Sequence, residues 1–187
     1  MIMKSENPTC GKMLVSEPFL LDINFSRSVV LLCEHNEEGS VGFVLNKLLS
    51  INTDEFVPNL LTHIFPVFYG GPVEQNTLHF IHRCGPLIKN AQKITDDIWW
   101  GGNIEDVNEL MNKKLISAED FKFFLGYSGW ASGQLVDELN NKSWWVVDSD
   151  EKNVFTDDLE EMWSNVVSTM GENFKHLAKA PLDPQWN

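Results

Sequence analysis

The segment 126–130, Gly-Tyr-Ser-Gly-Trp, is the part of the chain most similar to a catalytic nucleophile motif. In α/β-hydrolases the nucleophilic serine stands between two glycines, in the pattern Gly-x-Ser-x-Gly, at a sharp turn between a strand and a helix. Here Trp130 occupies the place of the second glycine, and the histidine that follows, His176, is distant in sequence. The pattern therefore favours a tight glycine-rich turn that directs Trp130 into the core, and no catalytic residue is assigned.

Two histidines and a cysteine, His79, His82 and Cys84, are potential metal ligands that lie close together in sequence. In a strand only His82 and Cys84 would share a face, because alternate side chains point to opposite sides. A structural zinc site needs four ligands. No GxGxxG or P-loop signature follows a predicted strand either. The sequence therefore predicts neither a metal site nor a cofactor.

Two glycine-rich turns would let a ligand approach the backbone closely. One is Gly70-Gly71-Pro72, and the other, Ser132-Gly133-Gln134, begins a predicted helix, where free N–H groups favour anions. A small anionic ligand between the turns is one hypothesis. Its candidate contacts are Gly70, Gly71, Ser128, Trp130, Gly133 and Gln134.

Four polar residues flank the apolar run 29–33, which predicts a strand buried on both faces. The segment 36–39 predicts a hairpin loop, with residues 41–45 as the returning strand. Pairing in this register places Arg27 and Asn46 at one end, about 25 Å from Glu34 and His35 at the other. We expect an ion pair for Arg27 and backbone hydrogen bonds for Asn46, and both remain candidates for ligand binding.

The remaining apolar runs and periodic segments predict the elements that position these residues. Strands are predicted at 11–16, 65–69, 77–83, 98–100, 121–127 and 143–147. Helices are predicted at 52–61 (interrupted by Pro58), 103–114, 132–140 (capped by Ser132) and 157–170 (with a capping box begun by Asp157). The apolar segment 17–25 contains Pro18 and is predicted to cross the surface.

Strands and helices interleave irregularly along the chain, and several strands meet through short turns. This order favours an α+β fold in which helices pack outside a flattened, mostly antiparallel β-barrel or strongly curved sheet. The length of 187 residues suits a single domain, residues 1–187, in which the polar residues 1–10 form a flexible lead-in.

The composition argues against several function classes. A net charge of −13 disfavours direct binding to nucleic acid, which depends on Lys and Arg displacing counterions. Three cysteines without a CxxC pair indicate a reducing compartment. The start of the chain lacks the apolar region of a signal peptide, and no run of about 18 apolar residues would span a membrane. The sequence therefore predicts a cytoplasmic protein.

Two surface features are alternative partner sites. The stretch 148–161 holds seven carboxylates and one lysine, Lys152, which predicts a solvated face or a docking surface for a basic partner. Adjacent tryptophans occur at 99–100 and at 144–145. One member of each pair would face outward in a strand, so an exposed tryptophan would mark an interface with a partner or a second copy.

Four segments together resemble the AlgH/YqgE family, an uncharacterised family of small bacterial proteins. They are residues 17–47, 70–82, 126–139 and the closing Pro-Leu-Asp-Pro-Gln-Trp-Asn. The resemblance implies a flattened, mostly antiparallel β-barrel with helices outside, and it implies no reaction. One member takes its name from an association with transcriptional regulation. The third segment departs from the family pattern because Val136 replaces its first acidic residue, whereas Glu138 fits.

Residues and resemblance together favour a cytoplasmic binding or interaction module over an enzyme. The first alternative is a transcriptional regulator that acts mainly through protein contacts. The second is an enzyme or sensor that binds a small anionic ligand at the glycine-rich turns.

Overall fold

The computed structural model describes residues 7–180, so residues 1–6 of the predicted lead-in and the closing Pro-Leu-Asp-Pro-Gln-Trp-Asn lie outside the described residues. The strands are β1 (Lys12–Ser16), β2 (Val29–Asn36), β3 (Gly39–Val44), β4 (Leu48–Asn52), β5 (Pro66–Tyr69), β6 (Val73–His82), β7 (Gln92–Lys93), β8 (Trp99–Trp100), β9 (Phe121–Ala131) and β10 (Trp144–Asp148). The α-helices are α1 (Thr53–Phe56), α2 (Ile104–Asn112), α3 (Gln134–Asn140), α4 (Glu151–Val154), α5 (Leu159–Thr169) and α6 (Lys175–Ala178).

The strands form one curled sheet in the order β10-β1-β2-β3-β9-β6-β8-β7, with β4 and β5 branching from β9. The pairing is antiparallel except between β5 and β9. The sheet curls into a half-barrel with helices beside it, which confirms the α+β prediction. Within residues 7–180 no helix combines the length and the apolar character needed to cross a membrane.

Strand β2 forms the centre of two hydrophobic cores. Val29, Leu31 and Cys33 face one cluster with Phe43 and the buried side of α5, whereas Val30 and Leu32 face a second cluster on the other side of the sheet. All five residues of the run 29–33 are fully buried, so the prediction of a strand buried on both faces is confirmed. The second cluster contains Trp130, Leu135 and Trp144, which join β9, α3 and β10.

The predicted turn at 126–130 is wrong, because these residues continue β9 as far as Ala131. Gly126 has a φ of +66°, and a side-chain carbon there would lie 2.6 Å from the carbonyl oxygen of Val73. The glycine therefore permits close contact with the start of β6 rather than a reversal of the chain. Trp130 is buried, as the sequence predicts.

Three helix predictions need correction. The segment 52–61 forms a helix only over Thr53–Phe56, and the preceding residues pair with β5 as the unpredicted strand β4. Helix α3 starts at Gln134 after Gly133 rather than from a Ser132 cap. Helix α5 follows Asp158, whose side chain makes no capping hydrogen bond, so the expected capping box is wrong as well.

Candidate functional site

The turn of the β2–β3 hairpin is held in place by Asn36. The register pairs His35 with Ser40, as the sequence predicts, but it also pairs Asn36 with Gly39, so the loop is residues 37–38 rather than the predicted 36–39. The side-chain oxygen of Asn36 accepts hydrogen bonds from the backbone N–H groups of Glu38 (2.8 Å) and Gly39 (3.2 Å). Such a side-chain bond to the backbone two residues on is a common way to fix a turn. The carboxylate of Glu38 is therefore carried by an ordered turn.

Beside this turn, a row of directly paired residues crosses three strands and ends at a glycine, which has no side chain. A register shift after Leu32 pairs Glu34 with Val41, and Val41 pairs in turn with Gly129 of β9. Directly paired residues on neighbouring strands share a face of the sheet. Gly129 therefore leaves a depression on the face that carries Glu34, and the ring of Tyr127 borders it, 3.1 Å from the place where a Cβ on Gly129 would lie.

The depression is the floor of an open groove of about 360 Å³, which we call the hairpin groove. It is lined by Glu34, Asn36, Glu38, Gly39, Ser40, Val41, Val73, Tyr127, Gly129 and Trp130. None of these residues is basic, and neither glutamate forms a salt bridge within residues 7–180. The Glu34 carboxylate accepts one hydrogen bond, from the Asn36 side-chain amide at 2.7 Å. The groove thus combines two unneutralised carboxylates with an aromatic ring.

The first predicted glycine turn is part of the framework of the sheet. The Gly70 N–H donates to the Leu125 carbonyl (2.9 Å), and the Gly70 carbonyl accepts from the Val44 N–H and from the Ser128 hydroxyl, both at 3.0 Å. A side-chain carbon on Gly71 would lie 2.3 Å from the Tyr127 carbonyl. Gly70 and Ser128 therefore meet, but their polar groups already bind each other.

The second predicted glycine turn lies on the surface. A side-chain carbon on Gly133 would meet no atom of the described chain within 4 Å, so the Gly70-Gly71 turn does not lie against it. The Gln134 side chain accepts from the Ala131 N–H (3.0 Å) and donates to Glu138 (3.0 Å). The anionic site between the two turns stays a prediction.

The carboxylate of Glu138 ties the second core together. Its Oε2 atom accepts hydrogen bonds from the indole nitrogens of Trp130 (2.9 Å) and Trp144 (2.7 Å). The indole of Trp130 is thus bonded to α3, although the residue also lines the hairpin groove. The acidic residue that fits the family pattern has a structural role in holding two tryptophans.

Arg27 and Asn46 lie together at the other end of the hairpin. Asn46 accepts from the Val29 N–H (3.0 Å) and donates to the Arg27 carbonyl (2.9 Å), which confirms the predicted backbone bonds. The predicted ion pair of Arg27 is wrong within residues 7–180. Its guanidinium instead lies over the ring of Trp163, 4.9 Å from the centroid, and donates to the carbonyl of Ala180.

The surroundings of Arg27 form a second cavity of about 280 Å³, whose lining includes the cationic Lys47 and the acidic Glu160 and Glu161. Burial lowers the pKa of Arg27, and within residues 7–180 its Nε atom has no hydrogen-bond partner. The hairpin groove lies at the opposite end of the hairpin. The structure therefore separates Arg27 and Asn46 from Glu34, as the hairpin geometry predicts.

The potential metal ligands near His82 are engaged in structural hydrogen bonds. His82 is fully buried, its Nδ1 accepts from the Cys84 N–H (3.2 Å), and its Nε2 therefore carries the proton and donates to the Gly101 carbonyl (3.1 Å). Burial lowers the pKa of His82 to about 4. Within residues 7–180 no group of three or more His, Cys, Asp or Glu side chains is placed to hold a metal.

A pair of exposed aliphatic side chains was not predicted as a site. Leu21 is 95% exposed and Ile23 is 85% exposed, although both belong to the ordered segment 17–25. The Lys47 amine donates to the carbonyls of Ile23 (3.1 Å) and Asn24 (2.8 Å). The Tyr69 hydroxyl donates to the Asn24 side chain at 2.9 Å. The apolar character of this surface segment was the signal in the sequence.

The adjacent tryptophans are less exposed than these aliphatic residues. Trp144 is buried, Trp99 and Trp100 are half-buried, and Trp145 packs against Phe174 at 5.2 Å between ring centroids. An interface formed by an exposed tryptophan stays a prediction.

Comparison with known proteins gives a consistent assignment. A family model described as AlgH-like matches residues 13–175. A UPF0301 protein of Cytophaga hutchinsonii is 42% identical over 180 residues, covering 96% of this chain and 99% of that one, and one of Chlorobaculum parvum is 41% identical over 177 residues, 95% of each chain.

Two solved structures share the fold. A crystal structure from Corynebacterium diphtheriae has a TM-score of 0.81 at 23% identity and covers 94% of each chain. The solution structure of the AlgH protein from Pseudomonas aeruginosa has a TM-score of 0.72 at 27% identity and covers 96% of this chain and 98% of that one. The curled sheet, the match over residues 13–175 and these relatives agree: the chain belongs to the AlgH-like family.

Proposed function

We propose that this chain is a binding module that docks onto a protein partner through the segment 17–25, and that it acts in the cytoplasm. The observation that supports this proposal is the exposure of Leu21 and Ile23 on a fixed backbone. Single exposed aliphatic residues are common on protein surfaces. Two nearly fully exposed ones in one hydrogen-bonded loop, with Phe19 also exposed beside them, form an apolar ridge that a partner can bury.

The fixed backbone lowers the entropic cost of docking. Binding loses affinity when a loop must be ordered at the same time. Burial lowers the pKa of Lys47, and its donors are directed at the carbonyls of Ile23 and Asn24 rather than at a carboxylate. The ridge is therefore pre-organised for a partner.

A role in transcription would follow from such protein contacts. The net charge of −13 opposes binding to the phosphate backbone of DNA. A regulator built on this chain would therefore act by binding another protein through the ridge of Phe19, Leu21 and Ile23.

The experiment places a photo-crosslinking amino acid at position 21 in cells. The matched control places it at Leu115, which is also exposed and lies in another part of the chain. We expect a discrete crosslinked protein from position 21 that is absent from position 115 and is lost when Ile23→Asp is added. Ile23→Asp should leave the thermal unfolding midpoint unchanged, since the side chain is 85% exposed. The same products from both positions, or none, would refute the proposal.

A sensor of a small anionic ligand is the second candidate, and the cavity beside Arg27 and Lys47 favours it. The cavity is lined by the cationic side chains of Arg27 and Lys47 and also by Glu160 and Glu161, and within residues 7–180 the Arg27 Nε atom has no hydrogen-bond partner. The test is a titration with inorganic phosphate, followed through the amide resonances of Arg27 and Lys47 and, for the predicted turn site, of Gly71 and Gly133. A saturable shift in either set supports the sensor, and no shift in either refutes it.

A further inference from the structure

We propose that the hairpin groove takes the guanidinium of an arginine side chain that a protein partner presents. The inference rests on the proposed function in one respect, that the partner is a protein, and it adds the chemistry that the partner must carry. It is supported by the groove's shape, its charge and its aromatic wall.

The shape of the groove follows from strand register. Glu34, Val41 and Gly129 form one row across three strands, and the missing side chain at Gly129 opens space beside the ring of Tyr127. The volume of about 360 Å³ is near the lower end of the range for ligand sites. The groove opens to solvent, so a side chain on the surface of another protein can enter it without movement of the sheet.

The charge of the groove selects a cation. Glu34 and Glu38 both line it, and no basic side chain of residues 7–180 forms a salt bridge with either of them. Other acidic residues of this chain do have cationic partners, such as Asp120 with Arg83 at 2.9 Å and Asp96 with Lys93 at 2.7 Å. The two carboxylates of the groove are therefore not neutralised by these basic side chains, and a bound cation would neutralise them.

The aromatic wall favours arginine over lysine. A guanidinium is planar and can stack on the face of a tyrosine ring while its N–H groups donate to carboxylates. Here the ring of Tyr127 borders the floor, and Glu34 and Glu38 lie at the rim. The Asn36 side chain donates to the Glu34 carboxylate and fixes the backbone of the turn that carries Glu38. A metal ion is a poorer occupant, because no suitable group of three ligands occurs within residues 7–180.

The test uses three blocked tripeptides, Gly-Arg-Gly, Gly-Lys-Gly and Gly-citrulline-Gly, titrated into the ¹⁵N-labelled full chain at low salt. Citrulline keeps the planar shape of arginine but is uncharged. We expect saturable shifts of the Gly39 and Gly129 amide resonances with the arginine peptide, weaker shifts with lysine and none with citrulline. Glu34→Gln combined with Glu38→Gln should reduce arginine affinity at least about tenfold, because two charge-assisted interactions are lost.

The matched control is Glu105→Gln combined with Glu109→Gln on α2, which changes the net charge by the same amount at two exposed sites away from the hairpin groove. This variant should keep most of the affinity, whereas a loss equal to that of the groove variant would show general attraction to an acidic surface and refute the site. Equal shifts with arginine and citrulline, or arginine shifts confined to other amides, would refute it too. If crosslinking at position 21 captures a partner while these titrations fail, only the groove inference is wrong.

Discussion

Replacing the buried Lys122 by methionine should stabilise the protein at neutral pH and destabilise it at alkaline pH. Lys122 lies in β9 and is only 3% exposed. Its ammonium is 4.5 Å from the centroid of the Phe68 ring and donates to the carbonyls of Thr156 (3.1 Å) and Leu45 (3.5 Å). No carboxylate within residues 7–180 forms a salt bridge with it. A buried charge supported in this way destabilises the folded state.

The size of this change in stability follows from the pKa of Lys122. Burial lowers the pKa of Lys122 from an ordinary value of 10.5 to about 8 in the folded protein. Between these two values the unfolded chain binds more protons than the folded one, so the free energy of unfolding rises with pH. The rise amounts to about 3 kcal/mol from pH 7.5 to pH 10.5, since each unit of pKa corresponds to about 1.4 kcal/mol.

The Lys122→Met variant removes this dependence but leaves two carbonyl groups without a donor, which costs about 1–2 kcal/mol. We therefore expect the variant to be more stable than the parent by about 1–2 kcal/mol at pH 7.5 and less stable by a similar amount at pH 10.5. The assay is urea unfolding followed by tryptophan fluorescence, under reducing conditions, at several pH values in this range.

Other groups also titrate here, so the difference between parent and variant is the informative quantity. Burial raises the pKa of Cys33, and it raises that of Cys84 to about 12, so both thiols make stability fall as pH rises. These contributions are the same in both proteins and cancel. Lys152→Met, at an exposed site on α4, controls for the loss of one charge and should show no crossing. Parallel pH profiles for the parent and Lys122→Met would refute the reasoning.

Two further predictions concern buried polar groups. Burial lowers the pKa of His82 to about 4, so as pH falls through about 6.5 the unfolded chain takes up a proton at this histidine before the folded protein does. The free energy of unfolding should therefore drop by up to about 3 kcal/mol between pH 6.5 and pH 4 in urea titrations. The His82→Gln variant should show a smaller drop. Glu138→Gln should lower the free energy of unfolding by about 1–3 kcal/mol and shift tryptophan emission, since a neutral amide oxygen is a weaker acceptor for the indole groups of Trp130 and Trp144; an unchanged midpoint in urea would contradict this role.

The hairpin was predictable because its information is local. A continuous aliphatic run, a short polar turn and a second apolar run are enough to set the pairing of His35 with Ser40. The separation of Arg27 from Glu34 followed from that register alone. The contact of Arg27 with Trp163, in place of an ion pair within residues 7–180, was not predictable in the same way, because it joins segments far apart in the chain.

The glycine positions show why the rest of the site could not be predicted. Gly70 and Gly71 look like a turn that admits a ligand, yet what approaches them is the backbone of β9, at distances that leave no room for a Cβ. Gly133 looks similar in sequence but faces open space. A glycine in the sequence indicates that another group can come close to the backbone, but it does not show whether that group is a strand or a ligand. Tertiary contacts decide which of the two it is.

The segment Gly-Tyr-Ser-Gly-Trp lies within strand β9, and this position gives its residues a structural interpretation instead of a catalytic one. Successive side chains alternate between the two faces of a sheet. Ser128 and Trp130 therefore point into the second core, where the Ser128 hydroxyl donates to the Gly70 carbonyl and is fully buried. This buried hydroxyl bonds to a backbone carbonyl rather than to a basic side chain of residues 7–180. Tyr127 and Gly129 point the other way and form the wall and floor of the hairpin groove. The same five residues that suggest catalysis in sequence thus provide, through their period of two, one anchored core face and one face that borders the hairpin groove.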